Sequence, residues 1–196
     1  MGRSARALVV VDLQVDFGDP QGSLFVDGAP VALPRILRLV ERARTHGDLV
    51  VWSQDWHPES TPHFADQGGA WPRHCVAGSP GAELLPEAVL AQRAGDLVIR
   101  KGVAGEDGYS AFSMRHPVTG EVRSTELDAH LRAAGVTLVT VCGLATDWCV
   151  KATALDALAA GFTVEVNVEA TAGVELKPGD VAAALAEIES AGGVLC

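Results

Sequence analysis

The sequence predicts an α/β protein with an open, doubly wound and mainly parallel sheet of about six strands, flanked by helices. Two observations lead to this fold class. Short runs rich in Val, Leu and Ile alternate with longer Ala- and Leu-rich segments, and Gly, Pro or Asp marks each change. The short runs are almost continuously apolar, which is typical of parallel strands buried on both faces. Their crossovers are expected to be right-handed.

The individual strands and helices follow from these patterns in chain order. Thr125 and Asp128 have the spacing of a capping box, Pro178 suits a first helical turn, and Gly135 and Gly161 suit helix ends. The predicted strands are 7–13, 49–54, 97–100, 137–142, 162–166 and a short one at 193–195. The predicted helices are 31–45, 125–134, 147–160 and 178–190.

Two long segments, 56–96 and 102–124, interrupt this alternation. Irregular stretches longer than about 12 to 15 residues in a compact domain are usually functional. The sequence has no internal repeat, no low-complexity tract and no linker. Because 196 residues is within the usual size of one domain, residues 1–196 are expected to form a single domain.

The charge balance argues against several classes of partner. The chain has 15 Lys and Arg against 25 Asp and Glu, a formal net charge of −10, and no basic block. Such a surface disfavours nucleic acid and anionic membranes as partners. Asp12 interrupts the first apolar stretch too early for a secretory signal, and no run is long enough to span a bilayer. The four cysteines follow no disulfide framework, so they are expected to be thiols in a cytoplasmic protein.

Four polar residues come at or just after the ends of successive predicted strands. They are Asp12, Asp55, Lys101 and, seven residues beyond Cys142, Cys149. The carboxyl ends of parallel strands share one edge of the sheet, where open α/β folds bind their ligands. The topology therefore predicts that these side chains converge.

Cys149 lies in a predicted strand-to-helix turn. With Thr146 as the N-cap, Cys149 is the third helical residue, where free backbone N–H groups and the helix dipole stabilise a thiolate or an oxyanion. The alternative is a small buried hydrophobe. Lys101 needs a partner to keep its charge when buried, and Asp12 is the obvious candidate, although each could instead be a solvated strand-end charge. Together the three residues provide a nucleophile, a proton-transfer carboxylate and a cation, as acyl transfer through a thioester requires.

Three of the six histidines fall in one short window of the first irregular segment. His57, His63 and His74 lie there with Asp55, and imidazole with carboxylate suits a divalent ion such as Zn, Fe or Mn. The alternative is a group of loop histidines without a metal. Cys75 lies next to His74, but no second cysteine is near, so a structural thiolate site is not expected.

Five segments, in order along the chain, carry a resemblance to a known family. They are VVVDLQVDF at 9–17, DWHP at 55–58, WPRHCV at 71–76, RKG at 100–102 and GLATDWCV at 143–150, and a Thr-Ala-Gly turn at 171–173 extends the match. The chain resembles the isochorismatase-like cysteine hydrolases, and within them the nicotinamidase/pyrazinamidase branch. The resemblance implies a Rossmann-like sheet and hydrolysis of nicotinamide to nicotinate and ammonia in NAD salvage, with pyrazinamide as a second substrate. The resemblance leaves the oligomeric state open, although family members are often homo-oligomers.

The resemblance also implies the residues of the site. The family's catalytic triad corresponds to Asp12, Lys101 and Cys149, and its oxyanion hole to the backbone N–H groups of Ala145 and Cys149, beside a cis peptide bond between Leu144 and Ala145. The metal ligands correspond to Asp55, His57, His63 and His74. The pyridine ring is expected between Phe17 and Trp71, with Leu24, Tyr109 and Trp148 around it.

Three positions depart from the family pattern or vary within it. Val15 stands where many members have Asn, Trp148 stands where some have His, and the ligand at the position of His63 varies. Seven of the ten aromatic residues lie on the loops assigned to the site, which favours a ring-binding pocket above an aliphatic core. These seven are Phe17, Trp56, Phe64, Trp71, Tyr109, Phe112 and Trp148.

Two other functions are compatible with this fold class. One is a metal-independent amidase of the same superfamily that acts on a carbamoyl or ureido amide, which the histidine cluster disfavours. The other is a non-catalytic binding protein, such as a dinucleotide-binding domain. The first predicted strand is not followed by Gly-x-Gly-x-x-Gly, so this second function lacks its main support.

Overall fold

A computed structural model describes residues 5–196 and contains a six-stranded parallel sheet. The strands of this sheet are β1 (Ala5–Val11), β2 (Leu49–Asp55), β3 (Leu97–Lys101), β6 (Val136–Leu144), β7 (Thr163–Ala172) and β8 (Val194–Leu195). Their order, β3-β2-β1-β6-β7-β8, confirms the predicted doubly wound α/β fold. Successive strands therefore run outward from β1 in one direction and from β6 in the other.

Helices cover both faces of the sheet and bury two separate apolar clusters. On one face, Ile36 and Val40 of the long second helix pack against alternate β1 residues such as Leu8 and Val10. On the other face, Leu131 and other buried helix residues pack against the intervening β1 positions. The helices are α1 (Val15–Gly18), α2 (Ala29–His46), α3 (Pro86–Ala91), α4 (Leu127–Ala133), α5 (Lys151–Ala159) and α6 (Asp180–Ser190).

The helix ends agree with the prediction at some positions and differ at others. Gly135 and Gly161 have φ values of 69° and 88° and follow the ends of α4 and α5, as predicted. The capping box is incomplete, because Asp128 accepts a hydrogen bond from Arg132 instead of closing onto the Thr125 backbone. Helix α6 begins two residues after Pro178, since the intervening glycine is left-handed.

Several short elements, most of them in the two irregular segments, were not predicted. Helices α1 and α3 have only four and six residues, which is too short for an apolar period to identify them. The second segment forms an antiparallel hairpin of β4 (Ser113–Arg115) and β5 (Val122–Ser124). Single 3₁₀ turns occur at Ala65–Gln67 and Pro80–Ala82. Within residues 5–196, no helix has the length and apolar character that crossing a membrane requires.

Candidate active site

The predicted convergence at the carboxyl edge of the sheet is present in the structure. Asp12 directly follows β1, Asp55 and Lys101 end β2 and β3, and Cys149 lies in the turn after β6. The Nζ of Lys101 lies 2.7 Å from the Oδ2 of Asp12 and 3.7 Å from the Sγ of Cys149. It also donates to the Oδ1 of Asp55 and to the carbonyl oxygen of Gly108. One buried ammonium group thus joins two carboxylates and the thiol.

The two carboxylates around Lys101 differ in their ionisation. Burial raises the pKa of Asp12 to about 6, although the positive charge of Lys101 acts in the opposite direction. Burial also acts to raise the pKa of Asp55, but Lys101 and the neighbouring histidines outweigh it, and this pKa lies well below its usual value. For Lys101, the two carboxylates outweigh burial and hold the pKa well above its usual value. Asp12 is therefore the member of the cluster that can exchange a proton near neutral pH.

Buried polar partners that the sequence did not identify hold the two carboxylates in place. Ser53 donates its hydroxyl proton to the Oδ1 of Asp12 at 2.7 Å. Gln14 is completely buried, accepts from the backbone N–H of Asp55 and donates to its carbonyl oxygen, both at 2.8 Å. Gln14 lies within the first motif of the resemblance, but only the contacts in the fold reveal its role.

Cys149 lies in a single wide helical turn, Thr146–Val150, that precedes α5. The N-cap of this turn is Ala145 instead of the predicted Thr146, and the preceding Leu144–Ala145 peptide bond is cis. Burial raises the pKa of the Cys149 thiol well above its usual value, and the charge of Lys101 offsets only part of this effect. Burial therefore acts against the thiolate that the helix end was predicted to stabilise. A protonated Cys149 needs a base to become a nucleophile.

The three predicted histidines form a second buried cluster beside the first. Their nearest ring nitrogens lie within 4.8 Å of one another. The Oδ2 of Asp55 lies 3.6 Å from the Nε2 of His57 and 3.7 Å from the Nε2 of His74. Among the residues that the structure describes, neither ring nitrogen of His57 has a hydrogen-bond partner. Four buried side chains that can each supply a ligand atom converge here, and both ring nitrogens of His57 are unpaired within residues 5–196. This arrangement fits a divalent metal ion.

A small cavity of about 30 Å³ lies between the two clusters. Every substrate-binding residue that the resemblance implied contributes to its wall, and Val174 is an addition that the sequence did not indicate. Trp71 donates its indole N–H to the hydroxyl of Tyr109 at 2.9 Å, and Trp148 packs against both rings. The wall contains Phe17, Leu24, Asp55, His63, Trp71, His74, Tyr109, Ala145, Trp148, Cys149 and Val174.

The predicted division between an aromatic pocket and an aliphatic core is only partly correct. Phe64 does not line the cavity. Its ring packs against the rings of all three histidines of the cluster. Trp56 lies under the guanidinium group of Arg100, and Phe112 packs on Phe162. Trp52 is completely buried in the core. Loop position alone therefore does not identify the aromatic residues that face the cavity.

Comparison with known proteins identifies relatives of this chain by sequence and by structure. A family model described as the isochorismatase domain matches residues 6–196. A nicotinamidase of Escherichia coli (strain K12) is 39% identical over an alignment of 212 positions, which covers 97% of this chain and 93% of the relative. The crystal structure of pyrazinamidase of Pyrococcus horikoshii in complex with zinc has a TM-score of 0.86 and 38% identity, and the match covers 97% of this chain and 98% of that one. PnC1 from L. infantum in complex with nicotinate has a TM-score of 0.85 and 38% identity, with coverage of 100% and 94%.

Proposed function

The chain belongs to the isochorismatase domain family, and from this premise we propose that it is a nicotinamidase, which hydrolyses nicotinamide to nicotinate and ammonia. Pyrazinamide, an amide on a ring of similar size, is a second substrate. The observation that carries the proposal is the placement of Cys149, 3.7 Å from Lys101, in the wall of a cavity lined by aromatic rings. A thiol nucleophile and a flat ring site meet there.

The ionisation of the site supports Asp12 as the general base. Because the pKa of the Cys149 thiol is raised, the nucleophile has to lose its proton as it attacks. A carboxylate oxygen of Asp12 lies within 4.8 Å of the Sγ of Cys149, and the Asp12 pKa of about 6 leaves it mostly ionised at neutral pH. Lys101 holds Asp12 and the thiol together and carries the compensating positive charge.

In the first half of the reaction, the Sγ of Cys149 forms a bond to the carboxamide carbon and its proton passes to Asp12. The backbone N–H groups of Ala145 and Cys149 stabilise the negative oxygen that develops. Asp12 then gives its proton to the amide nitrogen, the carbon–nitrogen bond breaks, and ammonia leaves. A thioester of nicotinate on Cys149 remains.

In the second half, water hydrolyses this thioester. Asp12 accepts one proton from the attacking water, and the hydroxyl group bonds to the thioester carbon. The carbon–sulfur bond breaks, and the proton held by Asp12 returns to the sulfur of Cys149. Nicotinic acid leaves and gives its carboxyl proton to the solvent, which yields nicotinate. The base and the nucleophile are thereby restored for the next cycle.

Asp55, His57, His63 and His74 are the residues that would hold one divalent metal ion, of which Zn, Fe and Mn suit this donor set. When bound, such an ion supplies a Lewis-acid contact for the ring nitrogen of the substrate. Zinc is the ion named with the Pyrococcus horikoshii pyrazinamidase. The ring itself lies between Phe17 and Trp71, with Leu24, Tyr109 and Trp148 closing the cavity.

The cellular setting follows from the same proposal. Nicotinamide hydrolysis is a step of NAD salvage, and we place it in the cytoplasm. The four cysteines, Cys75, Cys142, Cys149 and Cys196, are all free, which agrees with a reducing compartment. Residues 1–196 act as a single domain in this proposal.

An ammonia-release assay with a panel of amides tests the substrate. The zinc-loaded protein is incubated separately with nicotinamide, pyrazinamide, a carbamoyl amide and a ureido amide. We expect ammonia from the two ring amides, with nicotinate appearing in equal amount from nicotinamide. Protein stripped of metal is assayed with the same amides. Ammonia from the carbamoyl or ureido amide, with none from the two ring amides, would instead identify the metal-independent amidase.

A further inference from the structure

We propose that Asp107 is a positioning residue for the metal site, because it binds the Nδ1 of His63 and so leaves the Nε2 of that ring as the nitrogen available to a metal ion. The inference rests on the metal site of the proposed function. The Oδ1 of Asp107 lies 3.0 Å from the Nδ1 of His63. The side chain of His63 is only 3% exposed, and that of Asp107 is 21% exposed.

The hydrogen bond determines which nitrogen of His63 is free. A carboxylate only accepts hydrogen bonds, so the Nδ1 of His63 carries the proton and its Nε2 presents a lone pair. His74 shows the same arrangement by other means, since its Nδ1 lies 2.7 Å from the carbonyl oxygen of Pro72. A carboxylate or carbonyl behind a ligating histidine is a common means of fixing the ring and increasing its basicity.

His63 lies farther along the chain from the sheet edge than Asp55 and His57 do. Asp55 ends β2 and His57 follows two residues later, whereas His63 comes eight residues after the end of that strand. Its backbone N–H donates to the hydroxyl of Thr61 at 3.2 Å, and that hydroxyl donates to the carbonyl of Gly105 at 3.0 Å. The segment that carries His63 is thus bound at two points to the segment that carries Asp107.

Asp107 itself is anchored to a regular element. Its backbone N–H donates to the carbonyl oxygen of Arg115 in β4 at 2.8 Å. The next residue, Gly108, accepts the hydrogen bond from Lys101. The β4–β5 hairpin therefore fixes the carboxylate that orients His63, which gives this surface hairpin a part in building the site.

Zinc affinity measured without substrate tests this inference. Metal-free protein and its variants are titrated with zinc against a chromophoric chelator. Asp107→Ala removes the acceptor and is expected to weaken zinc binding about 10- to 100-fold, the usual effect of losing such a partner. Asp107→Asn keeps a side-chain oxygen that can accept from Nδ1 and is expected to retain most of the affinity. Equal zinc affinities of Asp107→Ala and the wild-type protein would overturn the inference.

Asp66→Ala is the matched control. Asp66 is an exposed carboxylate of the neighbouring loop that pairs with Arg73 at 2.8 Å. Its removal changes the net charge equally and is expected to leave zinc affinity unchanged, whereas a loss equal to that of Asp107→Ala would overturn the inference. Thermal unfolding of the metal-free proteins separates positioning from general stability. Zinc binding with the expected order of variants, but no ammonia from nicotinamide, would refute the proposed function and leave the role of Asp107 intact.

Discussion

The Nζ of Lys101 lies 2.7 Å from the Oδ2 of Asp12, and both side chains are completely buried. The same nitrogen donates to Asp55, so a single positive charge balances two carboxylates with different tasks. Asp12 lies beside the thiol of Cys149, and Asp55 lies beside His57 and His74. This shared contact is what joins the proposed catalytic and metal sites into one polar centre.

Removal of Lys101 is expected to destabilise the protein as well as inactivate it. Lys101→Met leaves Asp12 and Asp55 buried without a cation, which typically costs about 3–5 kcal/mol of folding free energy. Urea denaturation at neutral pH measures this loss. Lys151 provides the control, because it pairs with Glu187 at 3.2 Å near the surface, and Lys151→Met is expected to cost less than about 1 kcal/mol. Equal losses in the two variants would contradict the structural account of Lys101.

The pH dependence of the reaction reports the ionisation of Asp12. Its pKa is raised by burial to about 6, and only the carboxylate form can accept the thiol proton. With zinc kept saturating, kcat/KM is therefore expected to rise through about pH 6 and to fall roughly tenfold per pH unit below it. Asp12→Asn is expected to lose activity at every pH. A profile that stays flat from about pH 5 to about pH 7 would exclude Asp12 as the base.

The hydroxyl of Tyr109 is expected to matter for substrate binding. Tyr109→Phe leaves the buried indole N–H of Trp71 without its acceptor. An unpaired buried donor typically lowers the free energy of unfolding by about 1–3 kcal/mol. Because Trp71 and Tyr109 form the cavity wall, KM for nicotinamide should rise more than kcat falls. Trp52→Phe is the comparison, since it removes a 2.8 Å hydrogen bond from the indole N–H to Asp96, and neither residue lines the cavity. That variant should lose stability and keep its KM, and a larger KM effect there would refute the assignment.

The turn that carries Cys149 depends on a close approach of two strands at Gly143. Its φ is 114°, and an added Cβ would lie 2.1 Å from the carbonyl oxygen of Val11. Gly143→Ala is expected to lower the midpoint of thermal unfolding strongly, with backbone strain alone costing about 1–3 kcal/mol. Gly135 has a φ of 69°, and an added Cβ would have no atom within 4 Å outside its chain neighbours, so Gly135→Ala should cost only the strain of its conformation. A smaller loss for Gly143→Ala than for Gly135→Ala would contradict the packing described for β1 and β6.

The sequence predicted the fold class and the meeting of Asp12, Asp55, Lys101 and Cys149, because strand ends in a parallel sheet share one edge. It also identified the histidines that come together, through their clustering in one short segment. These features depend on local pattern and topology, which a single sequence displays.

Other features depend on burial and loop packing, which the sequence does not display. The desolvation that raises the pKa of the Cys149 thiol is set by its folded surroundings. Asp107 and Val174 join the site only through the paths of irregular segments. The positions of Trp56 and Phe112, away from the cavity, likewise follow from loop packing that no periodicity reveals.

The most direct test of the central claim is a search for the thioester on Cys149. Zinc-loaded protein is mixed with nicotinamide, quenched in acid within the first turnovers, digested and analysed by mass spectrometry. The account predicts a nicotinoyl group on the peptide that contains Cys149, no such adduct and no ammonia with Cys149→Ala, and an unchanged result with Cys196→Ala, which removes an exposed cysteine outside the cavity. Ammonia release by Cys149→Ala at the rate of the unchanged protein would contradict the account.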